Sequence, residues 1–270
     1  MRYVRLLWLM TRVSLQTDAA YRGNFFFQVG GALMHLGAAL LGLWVIFEQT
    51  TDLNGWGPWH MLALMGVFRI MTGVIALIIA PNMRQLMQDV RTGTLDFLLL
   101  QPVNSQFLAS SRRIVAWRVV DIVLGVIVAA IGAIKLGGGL APLTVCAFLV
   151  MLAAGATVIY SVWLILATSS FWLVRVANIE MVFWNVFEAA RYPVTIFPPV
   201  VRWTLTYVLP VAFIVTVPAQ ALVGGMGDES GVTSVTTATW IAAAVAAPAS
   251  LAAATLFWRY GLRHYSGASA

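Results

Sequence analysis

Charged residues are scarce in this sequence. Asp, Glu, Lys and Arg make up 10% of the 270 residues, whereas hydrophobic residues make up 61%. Soluble domains average roughly 25% charged and 45–50% apolar residues, so this composition excludes an ordinary soluble protein. A bilayer is crossed by about 20 apolar residues, and a chain of this length holds about six such runs. The composition therefore predicts an all-α membrane protein with one polytopic domain.

Several patterns that particular chemistries require are also missing. The single cysteine, Cys146, excludes an intrachain disulfide. The three histidines, His35, His60 and His264, lie far apart and form no metal-binding motif, so we expect no metal site. No G-x-x-x-x-G-K-S/T sequence occurs, which excludes the phosphate loop of many ATPases from this chain. We therefore expect no cofactor bound to this chain itself.

Lysine is almost absent, and the arginines are unevenly placed. The net charge is +6, and Lys135 is the sole lysine. Eleven arginines lie in the N-terminus, the 81–113 segment, the turn at Arg175 and the C-terminal tail, whereas loops 50–59 and 224–237 contain no Lys or Arg. Basic loops of membrane proteins remain cytoplasmic, so both termini and the 81–113 segment are predicted to face the cytoplasm. The positive charge thus indicates orientation and not a nucleic-acid partner.

Apolar runs predict six membrane spans and some broken structure. The first 24 residues place Arg2, Arg5, Arg12 and Gln16 on one side of a helix, which predicts an interfacial helix over 1–24 or a simple extension of span one. The remainder, 25–270, is predicted to be one polytopic transmembrane domain. Its predicted spans are 25–47, 59–80, 112–136, 142–172, 179–192 and 237–258.

The run from 179 to 222 is too long for one helix, and five prolines interrupt it. Each proline removes a backbone donor and obstructs a continuous helix. We therefore expect one span, 179–192, followed by short helices over 193–222 that re-enter from the external side. Three crossings are the alternative for this stretch.

The segment RTGTLDFLLLQPV, residues 91–103, stands between two long apolar runs on the predicted cytoplasmic side. Pro81 can begin a first short helix, Gly93 can end it, Thr94 can cap a second, and Pro102 can stop that one. The second helix would carry apolar residues into the cytosol. Such a helix either docks a partner protein or packs against the protein's own spans.

Ionisable residues within the predicted spans are few, and burying one is costly unless it is paired or faces water. Arg118 and Asp121 are three residues apart, as are Glu188 and Arg191, so each pair lies on one helix face and can form an ion pair. Arg69 has no acidic neighbour in sequence. It either pairs with Glu188 or Asp121 on another helix, or lines a translocation path.

The whole chain resembles the permease subunits of the type-2 family of ATP-binding-cassette (ABC-2) transporters. The resemblance rests on six spans, the segment GTLDFLLLQPV after span two, the broken region RYPVTIFPPVVRWTLTYVLPVAFIVTVPAQAL, and the ending FWRYGLRHYSGASA. In that family the segment after span two, here 82–102, supplies a coupling helix that docks on an ATPase. Gly93, Asp96, Leu98 and Pro102 match its motif, and Phe97 lies among them.

The resemblance implies a transmembrane permease subunit of an ATP-driven exporter in the bacterial cytoplasmic membrane. Two such subunits, either copies of this chain or related chains, would form the pathway in the lipid. Two separate ATPase subunits would bind ATP and Mg. The small residues of span one would then contact the second permease, or pack within the subunit: Gly30, Gly37, Ala38 and Gly42.

Two other functions are compatible with the sequence. An ion- or proton-coupled secondary transporter would use Arg69, Asp121 and Glu188 as a relay and would need no ATPase. The lack of a detectable internal repeat argues against a secondary transporter, because many secondary transporters consist of two repeats. A purely structural membrane subunit is the third possibility. For an exporter, the sequence indicates only a hydrophobic or amphipathic substrate.

Overall fold

The computed structural model describes residues 10, 12, 22–137, 141–173, 177–208, 210–224 and 237–265. Within these ranges the chain is helical, and its only β structure is an isolated bridge between Leu53 and Trp56. In the described part of the chain, five helices are long and apolar enough to cross a membrane, and a bent pair of shorter helices is a sixth candidate. The predicted class, an all-α membrane protein, is confirmed.

The helices are numbered in chain order. They are α1 (Arg22–Gln49), α2 (Pro58–Thr92), α3 (Leu95–Leu99), α4 (Ser105–Ser111), α5 (Ala116–Lys135), α6 (Pro142–Phe171), α7 (Ala177–Phe187), α8 (Pro199–Tyr207), α9 (Ala212–Val223) and α10 (Thr237–His264). The predicted interfacial helix over 1–24 lies outside the described residues, except for Met10, Arg12 and the first residues of α1.

The ends of α2, α6 and α10 lie together at one end of the bundle. The Phe171 ring at the end of α6 packs against Trp258 of α10, with 5.8 Å between ring centroids. Gln106 of α4 donates hydrogen bonds to Tyr160 of α6 and Thr255 of α10. We call this the arginine-rich end, because it carries the 81–113 segment and the end of α10. The loop that connects α1 and α2 lies at the opposite end.

α2 and α5 form the closest helix pair of the fold. Gly66 lies so near α5 that an added Cβ would stand 2.3 Å from the backbone nitrogen of Ala129. Gly125 and Gly132 of α5 approach the backbone of α2 equally closely, with added Cβ atoms 2.7 Å from Ile70 N and 2.6 Å from Ala63 N. Small residues permit such contact, and van der Waals packing then holds the two helices together.

The last α-helical stretch of α2, Ala80–Thr92, carries Pro81 in its first turn, as we predicted, but it continues directly from the preceding helix and is not a separate one. A proline in a helix lacks an amide proton and clashes with the carbonyl four residues earlier. Here a π turn, Ile75–Ile79, widens the helix just before Pro81. The carbonyl oxygen of Leu77 accepts a hydrogen bond from the Val115 amide instead, at 2.9 Å. The predicted segment 82–102 therefore begins inside α2.

Asn82 attaches the turn before α5 to the widened part of α2. Its side-chain amide donates to the carbonyl oxygens of Ile78 (2.6 Å) and Arg113 (2.7 Å), and its Oδ1 accepts from the Arg113 amide at 2.8 Å. Asn82 is fully buried. Because these bonds satisfy backbone groups that the proline and the turn leave without helical partners, the irregular region is held in one conformation.

The stretch predicted as span five is a short helix. α7 has 11 residues and a 3-10 turn of 4 residues follows it, fewer than the roughly 20 that a straight spanning helix needs. Glu180 pairs with Arg84 near the arginine-rich end, and the carbonyl of Thr195 accepts from Asn54 at the opposite end. Residues 180–195 therefore extend along the bundle partly as irregular chain.

α8 and α9 form a bent pair with an angle of 74° between them. Pro210, between the two helices, lies in a small apolar cavity against Ile159 of α6 and Phe183 of α7. α9 then packs against Met151 of α6 and Ala243 of α10. α6 begins at the end of the bundle opposite the arginine-rich end. The chain around α8 and α9 therefore enters the bundle as far as the middle of α6 and then returns toward the end where α6 begins.

Candidate functional sites

The loop after α2 begins at Gly93. α2 ends where Gly93 takes a left-handed conformation, with φ of +71°, which glycine adopts at little steric cost. Thr94 precedes α3, but its hydroxyl caps no amide of that helix. The Thr94 hydroxyl instead lies 2.9 Å from Thr92 Oγ1 and donates to Asp89 Oδ1 at 3.3 Å. α3 therefore starts without the side-chain cap that we predicted.

α3 presents one apolar face to the protein and another to the outside. Leu95 is fully buried and Leu98 is 3% exposed, whereas Phe97 is 72% and Leu100 is 81% exposed. Pro102, just beyond, is also exposed. Leu98 is therefore a packing residue within this chain. We call the exposed pair, Phe97 and Leu100, the docking patch. Leu100 was not among the residues of this loop that we selected from the sequence.

Asp89 holds this loop in place. Its Oδ2 accepts a hydrogen bond from Arg112 Nη2 at 2.6 Å, its Oδ1 accepts from Gln85 Nε2 at 2.8 Å, and its backbone carbonyl accepts from the Thr94 amide at 2.9 Å. The residue is 6% exposed. A carboxylate near a helix C-terminus is unfavourable unless a cation compensates it. That rule could have indicated Asp89 from sequence, but we had not selected it.

The end of α10 reaches the same loop. Tyr265 follows α10 directly, and its ring packs against Phe171 with 5.4 Å between centroids. Burial first, and then the neighbouring Asp96 carboxylate, raise the pKa of the Tyr265 hydroxyl above its ordinary value. Asp96 is thus half-buried next to the C-terminal segment. The loop is supported on one side by Asp89 and on the other by Tyr265.

A buried charge cluster joins three spanning helices. Arg69 Nη2 in α2 lies 2.9 Å from Asp121 Oδ1 in α5 and donates to the backbone carbonyl of Ala32 in α1 at 2.7 Å. Arg118 Nη1 lies 3.1 Å from Asp121 Oδ2. Asp121 is 3% exposed. Asp121 is one of the two partners that we considered for Arg69, and its charge is shared between two arginines.

Glu188 stands apart from this cluster. Its carboxylate pairs with Arg191 Nη2 at 2.7 Å, as the i, i+3 spacing indicated, and its side chain is 57% exposed. The Arg191 guanidinium also lies over the Phe68 ring at 5.7 Å. Within the part of the chain that the structure describes, Glu188 forms no ion pair with Arg69. The three residues of the hypothetical relay are therefore not one connected cluster here.

The small residues of α1 contact little of the chain that the structure describes. Added Cβ atoms at Gly30, Gly31, Gly37 and Gly42 would meet nothing within 4 Å. In the most apolar stretch of α1 only 11% of residues are buried, compared with 61% for α2. Close packing of the α1 glycines within the subunit is therefore not observed. Glycines that we had not selected, those between α2 and α5, have that role instead.

Tryptophans of membrane proteins are enriched at the membrane interface, and four tryptophans near the ends of the long helices differ in exposure. Trp56 is fully buried and Trp258 is 2% exposed, so both belong to the protein interior. Trp59 and Trp172 are 41% and 45% exposed, as residues of an interfacial belt would be.

Comparison with known proteins gives one family. The family model described as "ABC-2 family transporter protein" matches residues 33–269, which is most of the chain. No curated protein matches the chain. Among the described residues, no group of three or more His, Cys, Asp or Glu side chains is arranged to hold a metal ion.

Proposed function

The chain belongs to the ABC-2 family of transporter proteins, and we propose that it is the transmembrane permease subunit of an ATP-driven exporter. Proteins of this family are membrane components of transporters that associate with ABC ATPases, and are generally not themselves catalytic. The observation that carries the proposal is the family match, together with an exposed apolar patch on a loop held by the Asp89–Arg112 ion pair. We infer a hydrophobic or amphipathic substrate.

The docking patch is the surface that we assign to the ATPase. Phe97 and Leu100 are exposed apolar residues on a loop that is otherwise polar at its rim, with Asp96 and Pro102 beside them. Exposed apolar patches with polar rims are typical of protein interaction sites. Asp89 and Arg112 connect this loop rigidly to α2 and to the turn before α5. A movement of the docked ATPase would therefore be transmitted to α2.

Two ATPases and a second permease complete the proposed assembly. ATP and Mg would be bound by the ATPases. Nucleotide binding can change the permeation pathway only if the nucleotide-bound ATPase prefers one conformation of the permease. The open glycine face of α1 supports a contact with the second permease, which would be a copy of this chain or a relative.

The proposed orientation places the arginine-rich end in the cytoplasm of a bacterial cell and both termini on that side. It follows the distribution of arginine along the sequence. The return of α9 toward the opposite end supports the interpretation of α8 and α9 as an external re-entrant hairpin. Residues 177–195 would then form the fifth crossing.

Affinity purification tests the ATPase partner. The tagged chain, extracted from its native membrane in mild detergent, should recover a protein with a phosphate loop in stoichiometric amount, as identified by mass spectrometry. Burial of one large apolar side chain stabilises a contact by about 1.5–3 kcal/mol, so Phe97→Asp should lower ATPase recovery about tenfold or more. Gln101→Asp is the matched control, because Gln101 is exposed on the same loop and its side chain is polar.

Other results would contradict the proposal in different ways. Equal ATPase recovery with Phe97→Asp and with the unaltered chain would exclude the docking patch. Recovery of this chain without any ATPase, combined with transport that follows the proton gradient and is lost in Glu188→Gln, would replace the exporter by a secondary transporter. Leu98→Asp is unsuitable as a docking probe because Leu98 is buried and its substitution would disrupt the loop.

A further inference from the structure

An open groove of about 610 Å³ lies near the arginine-rich end of the bundle. Its walls are α2, the turn before α5, and α7 with the 3-10 turn that follows it. Arg84, Arg113 and Arg118 line it together with Trp117 and Trp184. Of the buried charge cluster only Arg118 lines this groove, and neither residue of the docking patch does.

The groove carries excess positive charge even after its ion pairs are counted. Arg84 pairs with Glu180 at 2.6 Å, and Arg118 with Asp121 at 3.1 Å. Arg113 is exposed and forms no ion pair with another residue in the described ranges. The lining residues and their direct ion-pair partners, together with Arg69, which shares Asp121 with Arg118, comprise five arginines and three carboxylates: Arg69, Arg84, Arg113, Arg118, Arg191, Asp121, Glu180 and Glu188. The site therefore favours an anion.

The groove is also elongated and is lined by both apolar and charged side chains. It extends beside α2 from Thr72 and Ala76 to Arg84 and Gln88, a rise of roughly 24 Å at 1.5 Å per residue. The Arg118 guanidinium lies 3.9 Å from the centre of the Trp117 ring, which orients this cation at the wall. An elongated ligand in the groove would therefore contact aromatic and basic side chains together.

We propose that this groove binds the phosphate head group of an anionic lipid from the leaflet at the arginine-rich end. Guanidinium groups donate paired hydrogen bonds to phosphate oxygens, and basic pockets between spanning helices on the cytoplasmic side are suited to acidic lipid head groups. Arg113 binds the head group directly, and the acyl chains lie along the α2 wall near Ala76. The proposal rests on the proposed orientation, but not on coupling to an ATPase.

Native mass spectrometry of the delipidated full chain tests this site. Phosphatidylglycerol, phosphatidylcholine and inorganic phosphate are added in separate titrations. We expect a one-to-one phosphatidylglycerol complex that forms at least fivefold more readily than the phosphatidylcholine complex. Arg113→Gln should weaken phosphatidylglycerol binding about tenfold, and Arg113→Lys should restore part of it because the charge returns.

Arg259→Gln is the matched control. Arg259 is exposed near the end of α10, at the same end of the bundle and outside the groove. Its substitution should leave phosphatidylglycerol binding within twofold of the unaltered chain. Equal loss in both variants would indicate general attraction to positive charge and overturn the site. Equal binding of the two lipids, or binding of inorganic phosphate as tight as that of phosphatidylglycerol, would overturn the lipid assignment.

Because this readout needs no ATPase and no transport, it separates the lipid site from the proposed function. Failure of the ATPase to co-purify, with lipid binding intact, would contradict only the exporter assignment. Loss of lipid selectivity with normal ATPase recovery would contradict only the groove.

Discussion

Two glycine-containing regions of the molecule behave in opposite ways. In α2 and α5, Gly66, Gly125 and Gly132 bring two backbones so close that no Cβ fits without a shift. In α1, the glycines have open space where a side chain would begin. The same residue type at similar helical spacing therefore closes one interface inside the chain and leaves another surface uncovered.

The difference shows that a stripe of small residues in the sequence does not reveal which helix packs against it. Within lipid, helices associate through packing and not through the hydrophobic effect. A glycine face lets two backbones approach closely, so it stabilises contact with any helix that packs against it. For α2 that helix is α5 of the same chain. For α1, apart from its contacts near Ala32 and Leu43, the described chain provides little cover. The proposed second permease would supply the missing helix.

The largest effect is expected where the two regions touch, at the charge cluster. Arg69 binds both Asp121 and the backbone of α1, so Asp121→Asn removes the carboxylate that compensates two arginines. Breaking a buried ion pair in this way typically costs about 3–5 kcal/mol. We expect a marked loss of thermal stability in detergent, measured by the temperature at which the monodisperse fraction on size-exclusion chromatography falls by half.

The control for that prediction is Glu188→Gln. Glu188 forms an ion pair of similar length with Arg191, but both side chains are more than a third exposed. Exposed pairs contribute about 0–1 kcal/mol, so this variant should remain close to the unaltered chain. If the two substitutions had equal effects, the assignment of Asp121 as a structural centre would be wrong.

A smaller effect is expected from one methyl group in the tight region. Gly66→Ala would place its Cβ 2.3 Å from the backbone of Ala129, and overpacking of this kind costs about 1–3 kcal/mol. Gly37→Ala is its counterpart in the open region. That variant should be neutral or stabilising by up to about 1 kcal/mol, because alanine favours a helix over glycine. Thermal unfolding of both variants in the same detergent compares the two regions directly.

The smallest effect on the chain itself is expected from Gly37→Leu. Nothing lies within 4 Å of that position in the described structure, so the subunit should fold normally. If α1 contacts a second permease, the added side chain should nevertheless separate the two subunits. Crosslinking in the native membrane, followed by electrophoresis, should show less dimer. A dimer fraction equal to that of the unaltered chain would indicate that this face of α1 meets lipid.

Local sequence rules predicted part of the loop after α2, which carries the docking patch. Gly93 ends α2 because glycine, which has no Cβ, adopts the left-handed conformation there at little steric cost. A short leucine-rich helix follows, as the pattern indicated. The pattern could not show which leucines are covered. Leu98 is buried while Leu100 is exposed, because other parts of the chain pack against one face of a five-residue helix.

The path through Pro81 was not predictable from local rules. Proline usually begins or ends a helix, and the sequence contains no separate signal for a π turn. The helix continues because Val115 and Asn82 provide hydrogen bonds to its freed backbone groups, and Val115 is 34 residues away in sequence. Two of the six predicted spans also needed correction in detail, since α2 extends to Thr92 and α7 is shorter than a full span.

Composition and hydrophobic runs by themselves determined that this chain is an all-helical membrane protein, because long apolar segments in lipid must satisfy their own backbone hydrogen bonds. The order of its segments also indicated the ABC-2 family. Only the tertiary structure decided which carboxylate neutralises Arg69, which glycines pack against another helix, and which residues of the loop after α2 are exposed. Those outcomes depend on contacts between distant parts of the chain, and sequence spacing within one helix does not specify them.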